Sequence, residues 1–313
     1  MAAKTSQVDP WRKPLRLRQG EPVAVIAPSG PVPAERFAAG LAVLSARHPV
    51  MQSSGLLSQQ GFLAGDDGRR LAELRWALSD PQVHAVFCAR GGHGALRLLP
   101  SLLAIDPLEL PTRPVVGFSD VTVLHALLAL HRRVTIHGPV VTQLAELPEV
   151  DRSALWSLLE GEPPSDISEL LSIGASSLPV RGRLLGGNLE VLSRLCGTAL
   201  QAALTDVGPV VLLLEEVTES PYRIDRALTQ LLLSGALRSV VAVVVGDLIR
   251  CEGPATHPTA LSVIAERLWT LGVPILSGVP LGHGTRNRAV PLGVEVEVNA
   301  RRNALSFVEP CVA

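Results

Sequence analysis

The chain has 313 residues, a formal net charge of −1, 47% hydrophobic and 18% charged residues, and only 3% aromatic residues. The length suits two domains, the apolar content excludes intrinsic disorder, and the near-zero charge gives no electrostatic basis for nucleic-acid or anionic-membrane partners. A chain of this size buries roughly 75% of its unfolded surface, so its core needs no disulfide or metal staple.

The opening stretch, MAAKTSQVDPWRKPLRLRQGEP, is basic but has no apolar segment, so no secretory signal is expected. No apolar run approaches the ~18 residues of a membrane span. Cys88, Cys196, Cys251 and Cys311 are scattered, with no C-x-x-C pair; Cys88 and Cys196 read as small buried hydrophobes. These features point to a cytoplasmic protein.

VAVIAP (Val23–Pro28) reads as a strand ending in the turn Ser29-Gly30-Pro31, and 33–46 as a helix. Leu71, Leu74 and Leu78 recur at helical spacing after an acidic start. HAVFCA (84–89) is a strand broken by RGGHG. PVVGF (114–118) is another, followed by a helix with Val121, Leu124 and Leu128. This rhythm predicts an α/β unit with a mostly parallel sheet over residues 1–150. Residues 151–178 hold the end of one short helix and then a Pro- and Ser-rich linker. Over 179–313, strands are expected at 180–185, 209–214, 239–247, 293–298 and 304–308, and helices at 188–196, 221–234 and 258–271. This half reads as mixed α+β with more antiparallel pairing.

Active sites of α/β folds gather where strands end and loops meet helices, and three such junctions carry polar residues. In VVGFSDVTVLH, Ser119 follows a buried strand and precedes a helix, without the G-x-S-x-G pentapeptide. There it can act as a nucleophile facing the N–H of Asp120, or simply cap the helix. In VVLLLEEVTESPYR, Glu215 and Glu216 end a strand; either lies in a cleft or in a solvated turn. In PLGHGTR, His283 sits between glycines that leave its ring uncovered, or is an exposed loop residue. Together the junctions supply a serine nucleophile, an acid and a histidine base. The turn Gly91-Gly92-His93-Gly94 lacks both G-x-G-x-x-G and P-loop spacing, so it reads better as N–H donors near Ser119 than as a nucleotide site. His125, His131 and His137 share no helical face and no H-E-x-x-H is present, so no metal or other cofactor is expected.

The motifs VAVIAPSGPV, ARGGHGALRLLP, VVGFSDVTVLH, IHGPVV, LLGGNLEVLSRLCGT, LLLEEVTESPYRIDRALTQL, VVVGDL and GHGTRNRAVPLG match in order and spacing. The chain resembles the LD-carboxypeptidase (muramoyltetrapeptide carboxypeptidase) family, which includes microcin C self-immunity peptidases, from about Val23 to Glu309. The resemblance implies a flavodoxin-like N-terminal domain and a smaller β-rich C-terminal domain with the site between them. It implies a metal-independent serine peptidase with Ser119 as nucleophile, Glu215 as acid and His283 as base, and an oxyanion hole from the N–H groups of Gly92 and Asp120. It further implies removal of D-alanine from murein tetrapeptides in the cytoplasm, and a homodimer. Arg90, Gly91, His93, Phe118 and Arg286 are candidates for holding the peptide, with Arg90, Arg286 and Arg288 the choices for its carboxylate. His93 and Phe118 stand where the family often has tyrosine, and Glu215-Glu216 where it usually has Glu-Asp. Two other readings remain at this stage: a peptidase for microcin-like peptidyl nucleotides, and a non-catalytic peptide-binding protein.

Overall fold

Runs of four apolar residues bounded by glycine and proline are too short for helices and too buried for edge strands, and they become the centre of the first sheet. The computed structural model describes residues 10–106 and 112–313; the start of the stretch read for a secretory signal lies outside them. The first half runs β1 (Val23–Ile26), α1 (Ala34–Ser45), β2 (Val50–Gln52), α2 (Asp67–Ser79), β3 (Ala85–Cys88), α3 (Leu99–Leu102), β4 (Val115–Gly117), α4 (Thr122–Leu130), β5 (Thr135–His137) and α5 (Glu149–Glu160). The second half runs β6 (Leu171–Ser172), β7 (Val180–Asn188), α6 (Leu189–Arg194), α7 (Ala202–Thr205), β8 (Val210–Val217), α8 (Pro221–Leu233), β9 (Val240–Ile249), α9 (Ala260–Leu268), β10 (Ile275–Ser277), β11 (Val290–Leu292), β12 (Glu295–Asn299) and β13 (Ala304–Phe307).

The first sheet has the order β11-β5-β4-β3-β1-β2, parallel except for β11. Its five parallel strands follow the flavodoxin-like order, in which ligands meet the carboxyl ends of strands beside the switch between β1 and β3. The second sheet is β13-β12-β7-β8-β9-β10-β6. Its centre, β7 to β10, is parallel, and antiparallel pairs flank it. The fold is thus the expected pairing of a mostly parallel sheet with a mixed one.

The halves interlock more than the sequence shows. Strand β11 lies between β10 and β12 in the chain yet pairs with β5 in the first sheet. Helix α4 is buried from Thr122 to Ala129 because it packs against its own β5 on one side and β7 on the other. Segment 151–178 begins inside α5, and its Leu171–Ser172 pairs with β10.

Local chemistry sets the helix starts. Asp66 caps α2 through the N–H of Arg69 (2.8 Å), and Thr259 caps α9 through that of Ser262 (3.1 Å). Pro221 occupies the first turn of α8, where its missing N–H costs nothing. Among the described residues no helix is long and apolar enough to cross a membrane.

Candidate active site

β4 ends at Gly117, Phe118 is extended, and Ser119 takes φ +64° at the head of a single 3-10 turn. A left-handed backbone on a residue with a Cβ costs on the order of 1–2 kcal/mol, so packing must hold it there. Gly117 lies so close to Val121 that a Cβ on it would stand 2.9 Å from Val121 Cγ1. Gly91, in the turn after β3, is as near on the other side: a Cβ there would stand 2.9 Å from Ser119 Cβ and 3.1 Å from its Oγ. Helix α4 has no side-chain cap. Ser119 therefore does not cap it, and its Oγ lies 3.2 Å from His283 Nε2.

His283 Nδ1 lies 2.7 Å from Glu215 Oε2. Glu215 is fully buried near the end of β8, where the pairing with β9 slips between Leu214 and Glu216. Such an irregularity re-aims one side chain without ending the strand. Glu216 points elsewhere: it accepts from Asn188 Nδ2 (3.0 Å) and from the N–H groups of Glu190 (2.8 Å) and Val217 (2.8 Å). Burial pushes the Glu216 carboxyl up to about 7, with those donors pulling the other way.

The loop carrying His283 is pinned at several points. Gly284 N–H donates to Asp247 Oδ2 (2.9 Å), and Gly282 N–H to Asn287 Oδ1 (3.1 Å). Asn287 in turn donates to Gln143 Oε1 (3.0 Å) and, through its N–H, to Asp151 Oδ2 (3.2 Å). A Cβ on Gly282 would meet Glu215 Oε2 at 3.2 Å, and one on Gly284 would meet Asp247 Oδ2 at 2.4 Å. Gly284 is thus required by the packing around His283, and Gly282 by its φ of +125° together with these tight contacts.

The glycine turn closes the site from the β3 side. Gly92 has φ +104°, and Gly30 N–H donates to Gly91 O (3.0 Å). Asp120 is buried and accepts Ala95 N–H at 2.8 Å, so its carboxylate ties the nucleophile turn to the far end of RGGHG. Burial raises the Asp120 pKa, against that hydrogen bond. Phe118 is buried, with its ring 4.7 Å from the His283 ring and 5.8 Å from that of His137.

Residues 23–138 match the LD-carboxypeptidase N-terminal domain, and residues 181–298 match the LD-carboxypeptidase C-terminal domain. The chain belongs to the LD-carboxypeptidase family. The murein tetrapeptide carboxypeptidase of Pseudomonas aeruginosa is 32% identical over 296 residues, spanning 90% of this chain and 94% of that protein. A Bacillus subtilis protein named "Probable murein peptide carboxypeptidase" is 33% identical over 300 residues, spanning 92% and 91%. The crystal structure of muramoyltetrapeptide carboxypeptidase from Oxalobacter formigenes is similar with a TM-score of 0.80 at 25% identity, covering 92% of this chain and 99% of that one. The microcin C7 self-immunity protein bound to glutamyl sulfamoyl guanosine shares the fold, with a TM-score of 0.83 at 18% identity over 96% of this chain and 100% of that one.

The arginines of this family member are placed unequally. Arg286 makes a two-point pair with the buried Asp151 (2.7 and 2.8 Å), so its fork is committed. Arg288, in the same loop as Arg286, donates to Ser165 O at 2.5 Å. Arg90 donates to Pro31 O (2.5 Å), and its guanidinium lies 4.0 Å from where a Gly92 Cβ would be, beside the glycine turn. His93 is exposed, with its ring 5.4 Å from that of the exposed Phe62.

The sequence reading missed the supports of the His283 loop. Asp247 carries the same signal as Glu215, an acid after an apolar strand, and was legible on that basis. Asp151 and Gln143 had no local signal, because their partners lie 136 and 144 residues away. Among the described residues no group of three or more His, Cys, Asp or Glu side chains is placed to hold a metal ion.

Proposed function

We propose that this LD-carboxypeptidase family member is a serine carboxypeptidase that removes the terminal D-alanine from L,D-linked murein tetrapeptides. The observation that carries the reading is the chain Ser119 Oγ–His283 Nε2–Glu215 Oε2, at 3.2 and 2.7 Å, built from a turn of the first sheet and a strand and loop of the second. His283 takes the Ser119 proton as Oγ bonds to the scissile carbonyl carbon. Glu215 fixes the tautomer with Nδ1 protonated and stabilises the imidazolium. The N–H groups of Gly92 and Asp120 face the oxyanion, one such donor being worth about 3–4 kcal/mol. The C–N bond breaks as His283 returns the proton to the amine of D-alanine, and water hydrolyses the acyl-enzyme by the same route.

In this reading Arg90 holds the substrate carboxylate, Gly91 and Phe118 wall the nucleophile, and Arg286 acts on the His283 loop instead of the peptide. The working division is residues 1–150 for the nucleophile and 179–313 for acid and base. The cytoplasm is the proposed location and a homodimer the proposed assembly. Mass-spectrometric release of D-alanine from a murein tetrapeptide is expected from wild type and absent in Ser119→Ala. Release by Ser119→Ala at the wild-type rate overturns the mechanism.

A second reading, cleavage of peptidyl nucleotides, is favoured by one observation. The exposed Phe62 ring, which meets the exposed His93 ring edge to face, offers one aromatic face beside the glycine turn on which a base can stack. Turnover of a tetrapeptide and a peptidyl adenylate analogue side by side separates the two. A purely peptide-binding role predicts no labelling of Ser119 by a fluorophosphonate.

A further inference from the structure

The segment LLGGNLEVL ends β7 against the residue that follows the nucleophile turn, Thr122. Gly187 has φ +144°, and a Cβ there would stand 2.4 Å from Thr122 Oγ1. Only glycine lets the main chain of the second sheet come this close to the first turn of α4. At that contact Asn188 N–H donates to Thr122 Oγ1 at 3.1 Å, while Thr122 N–H faces the carbonyls of Ser119 and Asp120. Asn188 is also the register partner of Glu215 on β8. Its Nδ2 donates to Glu216 Oε1 (3.0 Å) and its Oδ1 accepts Val191 N–H (3.1 Å), so every polar group of its side chain is engaged across or along the sheet. Thr122, Asn188 and Glu216 are 0%, 5% and 2% exposed.

We propose that Thr122 and Asn188 are positioning residues that brace the Ser119 turn against the strand carrying Glu215, and so set the reach from Ser119 Oγ to His283. The proposal rests on the reading of Ser119 and Glu215 given above. Ser119 and Glu215 sit on different sheets, and His283 must meet both. The Asn188 main chain touches the turn that bears one and pairs with the residue that is the other. A buried donor left unpaired at this point is costly, and a small slide of α4 away from β7 would relieve it. A slide of about 1 Å is enough to cost a reaction ~10²-fold.

Thr122→Val keeps the shape and removes the acceptor; Thr122→Ser keeps the acceptor. For both, D-alanine release and the rate of Ser119 labelling by a fluorophosphonate are measured on protein shown to be folded by near-UV circular dichroism. Thr122→Val is expected to lower kcat and the labelling rate about 10²-fold with little change in KM, and Thr122→Ser to recover most of both. A folded Thr122→Val with wild-type kcat and labelling, its loss confined to melting temperature, overturns the proposal. If Thr122→Val does not fold, Thr122→Ser and Thr122→Ala, which differ only in the hydroxyl that accepts from Asn188 N–H, are compared in its place. A kcat and labelling rate well above those of Thr122→Ala in Thr122→Ser support the brace, and equal rates in the two folded variants overturn it. Wild type that is labelled at Ser119 but releases no D-alanine removes the substrate reading alone, since the labelling rates still decide the brace. Wild type that is not labelled removes both.

Discussion

Glu215 turns one oxygen to His283, while Glu216, next in the chain, faces the start of α6 and takes two main-chain donors and one amide. The two glutamine variants should therefore differ in kind. Glu215→Gln is expected to lower kcat by a large factor, because an amide cannot stabilise an imidazolium as a carboxylate does. Glu216→Gln is expected to keep most of kcat. Steady-state rates on the tetrapeptide decide between them, and the opposite ranking reassigns the acid. Gly91→Ala puts a methyl into the 2.9 Å contact with Ser119 Cβ, and is expected to lose about 10²-fold in kcat with the fold intact. Arg286→Ala should act on kcat and melting temperature, since it leaves Asp151 buried without its guanidinium. A rise in KM alone would return Arg286 to the substrate. Ser119, Glu215 and His283 were legible because each interrupts an apolar or glycine-bounded pattern. The pairing of Arg286 with Asp151 was not legible, because nothing near Arg286 in the chain announces Asp151.

At the scale of elements, the longer strands, the amphipathic helices and the short apolar strands β1, β3, β4 and β13 were readable to within a few residues, and β2, β5, β6, β10 and β11 were not. β11 is three residues long with proline at its centre, a pattern that reads as a turn; only its antiparallel partner β5 makes it a strand. β7 runs on through Gly186 and Gly187 to Asn188, where a glycine pair ordinarily signals a break. β5 and α4 also bury two histidines beneath Phe118. Burial lowers the His137 pKa to about 3 and that of His125 to about 4. The ring nitrogens of His137 have no hydrogen-bond partner among the described residues. Because these folded pKa values lie below the unfolded ~6.5, their contribution is complete above that pH and is lost as pH falls towards 4. Each histidine costs up to about 1.4 kcal/mol per pH unit over that range. Urea midpoints measured between pH 7 and 4.5 should fall, and His137→Leu should flatten the slope. An unchanged slope in that variant removes His137 as the cause.

At the scale of the molecule, both apolar clusters run through both sheets: one joins Ala24 and Val86 to Leu212 and Val243, the other Val25 and Phe87 to Val211 and Val244. The halves are therefore expected to depend on each other. A fragment ending at residue 178 should release no D-alanine and show a lower melting temperature than the whole chain; turnover by that fragment would contradict the shared site. Mixing it with residues 179–313 tests whether contact alone restores turnover.

The place of β11 has a further consequence during synthesis. Until residues 290–292 leave the ribosome, β5 presents an open edge of main-chain donors and acceptors. His283 emerges only just before them. A nascent chain thus completes the contacts among Ser119, His283 and Glu215 and covers the open edge of β5 within the same few residues of translation. Ribosome-stalled chains ending before and after this point should differ sharply in both protease resistance and Ser119 labelling.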